Sequence, residues 1–245
     1  MKTVIWKNDK GLKAVFDNRR LFVESIDMTG STGIHTVESL AFSDGQTTIA
    51  HQLGAKTIPC SFALADKKGD MWLRQHLPLF FDPKTEGTLT VYSGTEQYSI
   101  RCYPQNIPVF KRDAVPYVWR FDVDFVADFP YWSRGKRSIQ LAYYSTAVKS
   151  SSPFDTPVRI AFPAGSATPF EINGKGCTIA SRDVPVVIDT KDFSVRDAQG
   201  NDKNYLIDAT APLDEMYLKY GDNNIFCPVY TGVEVSFDIL SMGEI

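Results

Sequence analysis

Trp119-Arg120-Phe121-Asp122-Val123-Asp124-Phe125-Val126-Ala127-Asp128-Phe129-Pro130-Tyr131-Trp132 alternates large apolar with charged side chains over its first seven residues. Successive side chains of a strand point to opposite faces. The pattern therefore places Trp119, Phe121, Val123 and Phe125 against a core, with Arg120, Asp122 and Asp124 in water. One dry face and one wet face is the signature of an antiparallel sheet rather than of a parallel sheet wrapped in helices. Beyond Trp132 the composition turns to Ser, Arg, Gly and Lys, and Ser145, Thr146 and Ser150-Ser151-Ser152-Pro153 follow. A boundary between two parts is expected there, giving residues 1–133, a linker 134–153 and residues 154–245.

Moving toward the N-terminus, Thr57 to Leu64 repeats the alternation, with Ile58, Cys60, Phe62 and Leu64 on one side. Val4 to Trp6, Ala14 to Phe16 and Leu21 to Val23 are strands separated by Asn8-Asp9-Lys10-Gly11 and Asp17-Asn18, which is meander chemistry. One helix stands out. Leu73, Leu77, Phe80 and Phe81 fall at i, i+4, i+7 and i+8 behind Asp70, a plausible N-cap. Pro78 lies inside that stripe and is expected to kink or end the helix near Leu77. Residues 27–48 carry few large apolar side chains and read as a long loop, or as an arm that borrows its burial from another surface.

The C-terminal part repeats the β theme. Strands are expected at 158–162, 177–180, 184–188, 193–195, 205–207, 216–220 and 233–240, with turns at Asn173-Gly174, Ala198-Gln199-Gly200-Asn201 and Gly221-Asp222-Asn223-Asn224. Short strands at such spacing read as a sandwich. The fold class is mainly β: an N-terminal sheet or sandwich with one short helix and an extended arm, then a C-terminal β-sandwich.

Composition narrows function by exclusion. Hydrophobic residues at 43% and charged residues at 22% are those of a chain that folds around a core. Charges balance at 15 basic and 15 acidic up to Pro130, with 11 against 14 beyond it, so neither part carries the basic stripe of a protein that grips nucleic acid. The one local basic cluster, Arg134, Lys136 and Arg137, reads as a solvated connector or a place where charge meets a partner. The start MKTVIWKNDKG has too short an apolar run for a secretory signal, and no segment is long and apolar enough to insert in a membrane; synthesis in the cytoplasm is expected.

Cys60, Cys102, Cys177 and Cys227 lack metal or dithiol spacing and read as free thiols. His35, His51 and His76 form no pair at ligand spacing, and no nucleophile elbow is present. Asp122 and Asp124 are close enough for a glycosidase pair, yet the wet face of a strand explains them equally. Asp183, Asp189, Asp192 and Asp197 have turn spacing, not the rhythm of a calcium loop. No catalytic, cofactor-binding or metal-binding residue is therefore assigned, and no enzyme activity or cofactor is expected.

Several of these pieces occur together elsewhere. Met71-Trp72-Leu73-Arg74-Gln75-His76-Leu77-Pro78-Leu79-Phe80-Phe81-Asp82-Pro83, Gly87-Thr88-Leu89-Thr90-Val91, Tyr98-Ser99-Ile100-Arg101-Cys102 and the strand from Trp119 to Trp132 resemble the distal tail (Dit-like) protein family of long-tailed, non-contractile bacteriophages. Val186-Val187-Ile188-Asp189, the turn at Gly200, the run from Leu218 to Ile225 and Val233-Glu234-Val235-Ser236-Phe237 are similar to that family's second domain. The resemblance implies a homo-oligomer, a six-membered ring of first domains at the virion tail tip, with a channel through which DNA leaves without specific binding. It implies a galectin-like outer sandwich that anchors receptor-binding proteins, and partners in the tail tube above and the hub or fibre below. Pro78 departs from an uninterrupted helix stripe, and no sugar-binding residues of a galectin can be matched, so carbohydrate recognition is not carried over. A β-sandwich carbohydrate-binding module is the alternative reading.

Overall fold

The computed structural model of the 245-residue chain describes residues 2–31, 33–39, 46–142, 144–228 and 232–242, with the backbone alone for 35–39 and 46–52. The chain forms two compact units, Met1–Trp132 with Met242–Ile245, and Ser133–Ser241.

The first unit is built on β1 (Lys2–Asn8), β2 (Lys13–Phe16), β3 (Leu21–Ile26), β4 (Gly33–Ser39), β5 (Gln46–Leu53), β6 (Lys56–Ala65), helix α1 (Gly69–Phe80), β7 (Gly87–Ser93), β8 (Glu96–Pro104), β9 (Phe110–Arg112) and β10 (Val118–Ala127). All pairings are antiparallel and run β2-β1-β7-β8-β10-β6-β3, with β9 also on β10 and β4 on β5. β10 and β6 pair along ten residues, from Val118 opposite Ala65 to Ala127 opposite Lys56. In that register Phe121, Val123 and Phe125 face the same way as Phe62, Cys60 and Ile58, and all six are buried. Opposite them lie Trp6 of β1, 4.8 Å from Phe125 between ring centroids, and Phe16 of β2, stacked on Phe62 at 3.8 Å. The core is thus a filling of aromatic rings between two faces, which buries the largest apolar areas per residue.

α1 closes one end of this core through Leu73 and Leu77, with Phe81 just after it. Two expectations about it need correction. Asp70 is not the N-cap: that position is Lys68, without a side-chain cap, and Asp70 lies in the first turn, where it pairs with Arg74 at 3.1 Å. Entry is set one step earlier, where Asp66 accepts the Lys68 N–H at 2.7 Å, because Gly69 must lie against Trp119 where a Cβ would overlap the indole. Nor does Pro78 end the helix, which runs on to Phe80 with Phe81 N–H on the Leu77 carbonyl at 2.9 Å. The proline deprives only the Arg74 carbonyl of its partner, on the exposed side of the helix, so water replaces what the ring removes.

The second unit comprises β11 (Trp132–Gln140), β12 (Tyr144–Ser150), β13 (Thr156–Phe162), β14 (Thr168–Ile172), β15 (Lys175–Ile179), β16 (Val186–Asp189), β17 (Ser194–Asp197), β18 (Tyr217–Leu218), β19 (Gly221–Cys227) and β20 (Glu234–Ser241). One sheet follows the order β17-β16-β13-β20-β11, the other β12-β19-β14-β15. Their core includes Ile160, Phe162, Ile188 and Val235 from the first sheet and Phe170, Ile172 and Ile225 from the second, with Phe162 edge-on to Phe170 at 5.7 Å.

Residues 134–153 do not form a linker but supply most of β11 and all of β12. Their polar composition conceals strands because β11 is largely exposed, while in β12 only Val148 and Ser150 are buried. Ser152 is fully buried and its Oγ accepts the Leu240 N–H at 2.9 Å, a hydrogen bond in place of an apolar contact. Residues 205–207 are also not a strand; Asn204–Leu206 is a 3-10 turn with Leu206 buried. The expected turn at Gly221-Asp222-Asn223-Asn224 is the start of β19. Asn223 can enter a buried strand because its own amide is satisfied: Oδ1 accepts from Lys219 N–H at 2.8 Å, and Nδ2 donates to the Lys219 carbonyl at 2.8 Å.

Candidate assembly surfaces

Residues 27–48, expected to form a loop or arm, include one strand and the start of a second that pairs with it; residues 32 and 40–45 lie outside the described residues. β4 and β5 pair from Gly33 opposite Leu53 to Ser39 opposite Gln46, with a bulge between Thr36 and Val37 and His35 opposite His51. Among the described residues this two-stranded sheet joins no other strand. Two strands alone are marginal in water, so the hairpin is the kind of element that gains stability from another surface.

Its root is rigid. Lys56, at the start of β6, is 1% exposed, and its ammonium donates to the carbonyls of Met28 at 2.6 Å and Met242 at 2.7 Å. The Met28 carbonyl also receives Trp132 Nε1–H at 3.2 Å, and both Met28 and Trp132 are buried. Burial pushes the Lys56 pKa down, against the opposing pull of Asp27. Asp27 is held below the usual carboxylate range by the Thr29 hydroxyl at 2.7 Å and the Thr29 N–H at 2.9 Å. One buried cation thus gathers the segment that enters the arm, the strand that leaves it and the chain after β20.

Another edge of the first unit differs in character. β3, which leads into the arm, ends the strand order at one side; β9 lies off that order and pairs with β10 alone, on the flank of β10 that β8 also uses. Around β9 the chain exposes Ile107, Val109, Val115 and Tyr117, with Val109 at 79%. An unpaired edge beside apolar side chains is what proteins otherwise blunt, unless it is to be covered. Arg120 on β10 braces the region, paired with Glu24 and Asp113, both at 2.7 Å.

The residues weighed as chemical candidates are dispersed. Asp122 and Asp124 lie on the exposed face of β10, and Asp122 accepts the Ser61 hydroxyl at 2.6 Å, as expected of a strand's wet side. His76 is engaged with the Trp72 carbonyl at 2.7 Å and stacks on the Trp72 ring. The side chains of His35 and His51 lie outside the described residues. Cys60, Cys102 and Cys227 are buried free thiols and Cys177 is half-buried; burial raises the pKa of Cys60 and Cys102 well out of the nucleophilic range. Arg134, Lys136 and Arg137 are exposed on β11. Asp189 pairs with Arg159 at 2.5 Å, and Asp197 holds the turn to Asn201, whose side chain lowers its pKa. Among the described residues no three His, Cys, Asp or Glu side chains form a metal-binding group.

Comparison with solved structures uses the whole chain. The Dit protein of bacteriophage SPP1, described as a paradigm of the hub adsorption apparatus in phages that infect Gram-positive bacteria, superposes with a TM-score of 0.74 over 98% of this chain and 99% of its own, at 12% identity. The chain has the fold of a phage distal tail protein. A chain of the phage P2 baseplate in its activated conformation with Ca matches at TM-score 0.57 and 9% identity, covering 99% of both chains. The same baseplate with Sr matches at 0.58 and 10%, over the full length of both. No family model matches the sequence, and no curated protein does. At such identities the fold persists after the residue-level record has been lost, so similarity carries architecture and the roles of single residues rest on their own geometry. Sequence reasoning missed Lys56, whose burial has no local signal: a lysine is expected at the surface.

Proposed function

We propose that the chain is a structural hub protein of a phage tail tip or baseplate, not an enzyme. Copies associate through their first units into a six-membered ring, between the tail tube on one side and the hub or fibre proteins on the other. The ring leaves a channel for DNA, and the near balance of charge in the first unit suits passage without grip. The second, galectin-like unit offers a docking platform for receptor-binding proteins. In this reading the protein is made in the host cytoplasm and ends in the virion.

The observation that carries the proposal is full-length similarity to the SPP1 Dit protein, both units in one chain, at TM-score 0.74. A second supports the ring. The first unit bears a two-stranded hairpin that joins no other described strand, and an exposed apolar segment around β9, from Ile107 to Tyr117. Contacts between unlike surfaces run head to tail, and close into a ring when the rotation between copies divides a full turn. Negative-stain images of the purified chain mixed with its phage's tail tube protein test this: annular particles with a central opening are expected. Compact single copies beside unbound tube protein would contradict it.

A further inference from the structure

The second unit holds a cavity of about 570 Å3 that the assembly reading leaves unused. It opens between the β16–β17 turn and the two 3-10 turns Asn204–Leu206 and Leu213–Glu215. Two aromatic side chains line it, Phe193 at 56% exposure and Tyr205 at 75%. Neither is placed there by the core.

Phe193 is the more telling. It adopts φ 49°, in the left-handed region where a bulky residue is disfavoured and Gly or Asn is usual. The turn is tied down next to it, since Thr190 N–H donates to the Val158 carbonyl at 3.0 Å, Thr190 Oγ1 accepts the Val158 N–H at 2.9 Å, and Asp189 accepts the Lys191 N–H at 2.9 Å. An exposed phenyl ring kept on an unfavourable backbone points to a use for the ring itself. Tyr205 stands on an equally firm base: Asn204 Oδ1 accepts the Val195 N–H at 2.6 Å, Lys203 N–H donates to the Val195 carbonyl at 2.8 Å, and Leu206 beside it is buried.

Polar groups complete the lining. Asn204 has committed its oxygen and retains Nδ2 as a donor. Asp208 uses Oδ1 for the Thr210 N–H and hydroxyl, which leaves Oδ2 as an acceptor. Asp214, also in the lining, has no hydrogen bond to its carboxylate among the described residues. Among the described residues no cation lines the cavity; Lys203 lies 6.0 Å from the Tyr205 ring centroid and pairs with Asp197 at 3.8 Å, and Lys175, near enough to Asp214 to feel its charge, pairs with Glu215.

We infer that this cavity is a binding site for a short neutral saccharide. A pyranose presents C–H faces that lie on aromatic rings and a rim of hydroxyls that both donate and accept, which matches Phe193 and Tyr205 together with Asp208, Asp214 and the Asn204 amide. The two carboxylates, without a cation in the lining, disfavour phosphate-bearing polymers by like-charge repulsion. The volume lies within the range of small-molecule sites and suits one or two sugar rings. Every lining residue belongs to the second unit of one chain, so the site needs no second copy to be complete.

Saturation-transfer NMR and titration calorimetry on the full chain test it, with the tetramer of β-1,4-linked N-acetylglucosamine, maltotetraose, oligomeric glycerol phosphate and tetralysine as probes. A neutral tetrasaccharide is expected to bind, and Tyr205→Ala and Phe193→Gly are each expected to weaken it by about tenfold or more. Phe193→Gly relieves the positive φ, so a loss of binding with unchanged or raised melting temperature separates ligand contact from folding. No binding of either neutral tetrasaccharide, binding of the anionic or cationic probe alone, or sugar binding indifferent to both substitutions overturns the assignment.

Discussion

Lys56 shows how much one side chain can organise. A buried ammonium is tolerable only where acceptors replace its water, and here two carbonyls from segments distant in sequence, Met28 and Met242, do so. Lys56→Met keeps most of the volume but leaves both carbonyls without this donor; a loss of about 2–3 kcal/mol in urea unfolding at pH 7 is expected. The pH dependence has a definite sign. Burial lowers the folded-state pKa below the ordinary 10.5, so between that lowered value and 10.5 the unfolded chain binds the proton more tightly. Stability of the wild type relative to Lys56→Met should therefore rise as pH climbs through that window, and be flat below it. Urea titrations of the two proteins from pH 7 to 10.5 check this. A difference that shrinks on going alkaline would show that the charge is stabilised, not strained, by its site.

At the scale of elements, patterns were legible where one face is wet. β6 and β10 alternate cleanly because each has core on one side and water on the other, and their residues took up the expected faces. Legibility failed where polar groups are satisfied inside the fold. The Gly-Asp-Asn-Asn run of β19 carries turn chemistry, yet the bonds made by Asn223 permit a buried strand. Segment 134–153 reads as a connector because β11 buries little, and the arm's pairing is not legible because residues 27–48 carry few large apolar side chains to mark a strand's buried face. Phe193 and Tyr205 gave no signal, since exposure and φ cannot be read from a sequence in which aromatics equally fill cores. The helix offers a direct test. Pro78 is exposed in the last turn of α1 and leaves the Arg74 carbonyl to water, so Pro78→Ala should restore that bond and stabilise the fold by about 1 kcal/mol, measured by chemical denaturation. Gly87 predicts the opposite: a Cβ there meets the Lys7 carbonyl and the Trp6 ring, and Gly87→Ala should cost about 2–3 kcal/mol in the same experiment.

At the scale of the molecule, the fold similar to that of the SPP1 Dit protein extends over both units. The arm hairpin joins no other described strand, and the segment around β9 exposes Ile107, Val109, Val115 and Tyr117. Replacing residues 33–53 with a short Gly-Ser linker should leave both units folded, as judged by a cooperative melt, while abolishing association. Native mass spectrometry of the intact chain at micromolar concentration bears most directly on the central claim. Six copies, about six times 27.4 kDa, alone or with the tail tube and hub proteins, are the predicted result; a particle that stays at the mass of one copy, even with those partners present, would contradict it.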